Sequence, residues 1–440
     1  MKKLSVLFLL FCFLAAPLCA DAEESKADKK TKKQAEKAEK KKESEEKTDK
    51  EEKYEDPLKD APKKQAAVQS RTFEIGLMNI DVFFSNNFYS AFDFFKKTLI
   101  IDLDEISSGL KLDAGINVKP FYFMIDSKKG WGFGLSTNID TFGFLDLNGA
   151  MLSFDEADGA KSAAAGAAFV SAGIDTFFQI QKFKIKARPA LYFTAAYVKT
   201  DLSYYFVNNA NGTSVINIDY DMRIFTPVPM DNINPGALSG TPGFDFSFGF
   251  EYPLSKELGF SGSVLDFDIG FDFINVPLVS STLKNYKRIE GSLGKGDPVN
   301  ILDDMGGFVD SISVNEYTVT DGIELIEVRR PFRALMYINW RPTGRQSFTV
   351  TPVLGFALSD FYPEPFSIET GVNMRLSSSE IMVAELGINY IDRAWVNSVN
   401  FALNLRVFEI NFGLKMRSHD FLRSFAGYGL GANLGLKFGY

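Results

Sequence analysis

The chain has 440 residues, 45% of them hydrophobic and 24% charged, with a formal net charge of −8 and 43 phenylalanines. With no basic cluster beyond residue 70, this charge balance excludes a nucleic-acid surface built on phosphate neutralisation. Two cysteines and a single histidine leave little material for thiol, zinc or histidine-centred chemistry, and no cofactor or metal is expected.

In chain order the first element is a leader. Met1-Lys2-Lys3 supplies a basic start, Leu4 to Leu18 is nearly all apolar, and small residues follow at Ala20 and Ala22. This is the three-part form of a cleaved signal peptide over residues 1–20, its apolar run falling short of the ~20 residues that span a bilayer. Leu18 disfavours lipid attachment at Cys19, being larger than the residue usual before a lipidated cysteine. Cleavage after Ala20 removes Cys12 and Cys19 together, so the mature chain is expected to lack disulfides and thiol ligands.

Residues 21–70 are a charged tether. Positions 21–60 hold 15 acidic and 13 basic side chains, too few apolar groups to offset the entropy of ordering. A periplasmic spacer is expected, with contact to the cell wall as its structural alternative.

From Arg71 onward period-2 alternation dominates, which marks strands with two unlike faces. Phe244, Phe246, Phe248 and Phe250 alternate with Asp245, Ser247, Gly249 and Glu251. Ile410, Phe412, Leu414 and Met416 alternate with Asn411, Gly413, Lys415 and Arg417. Such segments reach or exceed the ~9–11 residues of a membrane-crossing strand, and a barrel turns the apolar row to lipid while closing every sheet edge. Short connections near 126–130, 181–182, 255–257, 341–346, 377–380 and 408 alternate with longer ones at 85–109, 148–165, 226–242, 276–325, 359–365, 392–397 and 418–425. The expected fold is all-β: a transmembrane antiparallel barrel over residues 71–440. The segments parse as sixteen strands, starting near 73, 110, 131, 166, 183, 202, 214, 243, 258, 326, 347, 366, 381, 398, 409 and 426. If 200–242 is one external lobe, the count falls to fourteen. Near Gly262–Leu265 the apolar set changes parity, as at a β-bulge.

The last strand carries the most specific motif. Asn433, Gly435, Phe438 and Tyr440 stand in the order polar, glycine, aromatic, aromatic, and this resembles the C-terminal assembly signal of bacterial outer-membrane β-barrel proteins. The resemblance implies outer-membrane lipid as surroundings in a double-membraned bacterium. It also implies the barrel assembly machinery and periplasmic chaperones as partners, and by analogy with diffusion porins it allows a homo-oligomer.

Parity points Asp245, Glu251, Asp266, Asp268 and Asp272 into the lumen as an acidic wall. It points Arg406, Lys415, Arg417 and Lys437 inward as a basic wall opposed by Glu409 alone. Facing walls of this kind suit a channel for small polar solutes. The alternatives are an uptake barrel for hydrophobic ligands, resembling long-chain fatty acid transporters, and a surface anchor. In the first of these, residues 21–70 lack the Asn-Pro-Ala motif of that family's plug. His419, in a connection, has no catalytic partner identifiable by sequence. "GKGDP" at 294–298 lacks the context of a phosphate loop, and "NGT" at 211–213 reads as a turn, so no enzyme is expected. The fifty-residue connection 276–325 is expected to be a functional or disordered external loop.

Overall fold

The structure, a computed structural model, describes residues 72–90, 92, 109–127, 130–153, 157–208, 214–228, 240–294, 313–345, 347–378, 381–405 and 407–439. The leader, the tether, Arg406, Tyr440 and positions 211–213 lie outside the described residues.

Seventeen strands form one antiparallel sheet. They are β1 (Phe73–Asn86), β2 (Leu110–Ser127), β3 (Trp131–Leu147), β4 (Ala157–Ile180), β5 (Phe183–Asn208), β6 (Ser214–Thr226), β7 (Gly243–Tyr252), β8 (Asp266–Val279) and β9 (Ser281–Gly294). They continue with β10 (Ser313–Val328), β11 (Phe332–Arg341), β12 (Phe348–Leu358), β13 (Phe366–Ser378), β14 (Met382–Ile391), β15 (Ala394–Asn404), β16 (Phe408–Ser418) and β17 (Gly429–Gly439). Fourteen of them close a ring in which each strand pairs with the next: β1 to β5, then β7, β8 and β11 to β17. β17 returns to β1 in register Glu74↔Gly439 to Ser85↔Gly429, so the ring has no edge.

The remaining three strands form a lobe. β5 pairs with β7 through Lys184–Tyr192, then leaves the ring and pairs with β6 through Tyr197–Asn208. β6 continues to β9, and β9 to β10. The ring therefore has fourteen strands, the alternative count in which 200–242 belongs to an external lobe, and not sixteen. The segments at 183 and 202 are one strand, interrupted in register near Ala168/Phe169 by a bulge that reverses side-chain parity. β4 starts at Ala157 because its alanine- and glycine-rich first half pairs fully with β5 without bulky alternation. The connection 276–325 contains the end of β8, all of β9 and most of β10, whose charged residues mask the period. The connection at 392–397 is only the turn Asp392-Arg393, both residues with positive φ.

The burial pattern is that of a soluble protein turned inside out. Leu354, Leu414 and Leu434 are 54%, 69% and 51% exposed, while Asp113, Asp245, Asp268, Arg330 and Glu369 are buried. Water would penalise such a surface, whereas lipid satisfies it. β7, β11 and β14, ten residues each, match a tilted membrane crossing. Outward rings stack between neighbouring strands, with Phe248 on Phe273 at 4.6 Å and Phe250 on Phe271 at 5.0 Å. The chain is a transmembrane β-barrel.

Inside, a glycine faces a large side chain at tight points of the wall. A Cβ on Gly270 would lie 2.1 Å from the Tyr337 ring. Gly270→Val should destabilise the barrel by about 1–3 kcal/mol through overpacking. A lowered denaturant midpoint, followed by loss of the heat-modifiable gel band, would report it, and Gly259→Val, in open space but with φ +79, separates backbone strain from crowding.

Candidate functional site

The two rims differ. At one lie the start of β1, the end of β17 and the turns after β2, β4, β7, β11, β13 and β15; the lobe and the other connections crown the opposite end, here called the mouth.

A charged layer inside the ring is built on Arg330, in the three-residue link between β10 and β11. Its guanidinium meets Asp245 of β7 in a two-pronged bond, Nε and Nη2 donating at 2.7 Å each, and Nη1 donates to Ser171 of β4 at 3.1 Å. Asp140 of β3 lies 4.0 Å away, and the Tyr192 ring 5.3 Å beneath the charge. The link is thereby tied to three strands of the ring, with arginine and aspartate side chains only 3% and 1% exposed.

Above it lies an aromatic layer. Phe361, in the connection 359–365, turns inward against Phe142 at 4.7 Å, Tyr197 at 5.6 Å and Phe169 at 5.9 Å. Phe225, Leu283 and Val328 at the base of the lobe complete this buried cluster. Tyr192 fastens lobe to ring, its hydroxyl donating to the Val328 carbonyl and accepting from the Ser281 amide. Tyr362 stacks on Phe144 at 4.9 Å, and burial pushes its hydroxyl pKa up.

A second charged knot sits at the β14–β15 turn. Arg333 pairs with Asp392, and its Nε lies 3.3 Å from Glu369. Burial works against the Asp392 carboxylate, but the charges of Arg333 and Arg417 outweigh it and hold its pKa below the ordinary value. A lowered folded-state pKa gives stability that is complete above the unfolded value, about 4, and is lost as pH falls through the folded one. Acidification below pH ~4 should therefore lower the denaturant midpoint, and Asp392→Asn should remove part of that slope.

Beside these layers opens a cavity of about 600 Å³. Phe144, Tyr362 and Tyr390 give it aromatic walls, and Lys111, Asp113, Asp146, Glu364, Arg393 and His419 a polar and charged rim. His419 Nε2 lies 2.8 Å from Asp113, and Nδ1 lies 3.1 Å from the Arg393 carbonyl. Ser85 donates to the same carboxylate and not to the imidazole, so the three groups do not make a nucleophile–base pair.

The expected wall residues are placed as follows. Asp245, Glu251, Asp266, Asp268 and Asp272 share the inward rows of β7 and β8, halfway round the ring from Lys415, Arg417 and Lys437. Each side meets countercharges close by. Asp245 meets Arg330, Glu251 meets Lys184 at 2.8 Å, Asp266 meets Arg341 at 2.9 Å, and Asp268 meets Arg341 also. Asp272 fills the space that a Cβ on Gly249 would need. Lys415 pairs with Asp81, and Lys437 lies 3.3 Å from Glu74 and 3.5 Å from Glu409. Arg417 lies over Phe83 at 4.4 Å and donates to the Asp392 carbonyl. Ring closure thus supplies acids from β1 to the basic wall, and Asp245, Glu251, Asp266, Asp268, Lys415 and Lys437 all have a countercharge close by.

Of the terminal motif, Asn433 points inward and donates to Asn400 at 2.7 Å, Gly435 borders Asn79, and Phe438 faces outward beside Phe408. Arg330 and Phe361 were not singled out by sequence. Their available signals were two arginines before a proline at a strand boundary, and three aromatics within Asp360–Phe366.

No protein-family model and no curated protein matches the chain. Among solved structures it is similar to the Pseudomonas putida toluene transporter TodX, at 9% identity and TM-score 0.43, covering 84% of this chain and 89% of that one. It is also similar to a Pseudomonas aeruginosa FadL homologue, at 8% identity and TM-score 0.40, covering 84% and 90%. For the translocator domain of the autotransporter NalP from Neisseria meningitidis the values are 5% and 0.31, covering 85% and 90%. At such low identities and TM-scores, function is read from this chain's own geometry.

Proposed function

We propose that the chain is an outer-membrane transport barrel of a double-membraned bacterium, closed at its mouth, that takes up compounds with a hydrophobic body and a polar or charged head. The observation that carries this reading is the mouth cavity. Its walls Phe144, Tyr362 and Tyr390 suit an apolar body, and its rim, where Lys111 and Arg393 stand among Asp113, Asp146 and Glu364, suits a polar or charged head, beside a buried aromatic layer that on this reading closes the mouth. On this reading the mouth faces outward and residues 21–70 lie in the periplasm. Asn433, Gly435, Phe438 and Tyr440 serve assembly-machinery recognition.

The test is equilibrium binding of a fluorescent long-chain carboxylate to refolded barrel. Saturable binding that weakens severalfold in Tyr362→Ala and in Arg393→Gln supports the reading. The second reading, a channel for small polar solutes, is favoured by the asparagine-lined inner wall, where Asn389 donates to Asn373 and Asn433 to Asn400. No saturable binding together with steady single-channel conductance would replace the first reading by the second.

A further inference from the structure

The connection between β7 and β8, Pro253 to Leu265, is longer than a hairpin needs and is built in two faces. Its polar face is stapled to the barrel end. Ser255 donates to Asp266 at 2.7 Å, the Gly262 amide donates to the same carboxylate at 3.1 Å, and Arg341 lies 2.9 Å from it. A helical turn over Leu254–Glu257 closes with the Leu258 and Phe260 amides bonded back to Leu254 and Ser255.

The other face carries Leu258, Phe260, Val264 and Leu265, which are 55%, 40%, 65% and 51% exposed. One bond locates the end of that face. The indole N–H of Trp340 donates to the Val264 carbonyl at 2.8 Å, and Trp340 pairs with Phe267 in the outward rows of β11 and β8. The end of the connection therefore lies beside the outward row of β11, and its exposed apolar residues adjoin the lipid-facing belt at the rim opposite the mouth. Its apolar alternation before Leu265 is an extension of the belt and not a strand.

We infer that residues 258–265 are an interfacial anchor, seated in the bilayer leaflet at the end of the barrel where β1 begins and β17 ends. Four apolar side chains beside an indole with its N–H satisfied by backbone are what the headgroup–acyl boundary accommodates. The inference rests on the membrane-spanning reading of the ring and is independent of the ligand.

The test uses the full chain refolded into phosphatidylcholine vesicles, in a Cys12→Ser, Cys19→Ser background. A nitroxide is placed by Val264→Cys, and by Leu258→Cys as a second site. Leu354→Cys serves as the mid-belt reference and Lys256→Cys as the aqueous one. At both anchor sites the ratio of oxygen to aqueous nickel-chelate collisions should be severalfold above that at Lys256 and below that at Leu354. Ratios equal to that at Lys256 would overturn the anchor while Leu354 still reported a spanning barrel. Spin–spin broadening that disappears on dilution with unlabelled protein would overturn it in favour of contact between copies.

Discussion

Arg330→Met is expected to cost the folded barrel about 3–5 kcal/mol, because it strands Asp245 as a buried carboxylate without its partner. If the mouth is closed as proposed, the same change should also raise ion conductance. The link that carries Arg330 lies between the lobe strand β10 and the ring strand β11, and its guanidinium is what ties that link to Asp245 and Ser171 across the lumen. Denaturant unfolding measures the first effect, and planar-bilayer recording the second. The double variant Arg330→Met, Asp245→Asn removes the stranded charge and should regain part of the lost stability while staying conductive. Full stability and silence in the single variant would mean that the pair neither holds the fold nor closes the mouth.

The ring was legible in the sequence because lipid on one side and polar groups on the other impose strict alternation, as in β7 and β16, where each outward ring alternates with a polar or glycine position. The strand count was less so. At the β4–β5 bulge the parity of β5 changes, and a single strand of 26 residues reads as two. The inward directions of Asp245 and Lys415 follow from the same period, but their neutralisation does not. Asp81 lies 334 residues before Lys415, and only closure of β1 on β17 brings the two together. Arg330 falls in a link with no period of its own, and Phe361 in a connection whose inward turn depends on rings contributed by β3, β4 and β5. Sites made by ring closure and by infolded connections leave no local spacing to read.

Phe361→Ala should give the second large effect, a loss of about 3 kcal/mol from truncating a buried aromatic. Phe361 is 5% exposed, and it is the one member of the aromatic layer supplied by the connection 359–365 to touch Phe142, Phe169 and Tyr197 together. Its removal leaves a gap in the layer proposed to close the mouth, so on that reading ion conductance should rise. Phe412→Ala is the control, since that ring lies on the lipid-facing row of β16 and is 49% exposed. Its loss should leave the bilayer recording unchanged. Phe361→Leu keeps most of the apolar volume and should restore most of the stability and much of the closure. The two layers are stacked across one passage, so their effects on conductance should not add: once Arg330→Met has freed the link, Phe361→Ala has less left to open. Their stability costs act at different contacts and should come nearer to additivity. An unchanged conductance in Phe361→Ala, with stability lowered as expected, would assign the ring to the core of the lobe alone and leave closure of the mouth to Arg330.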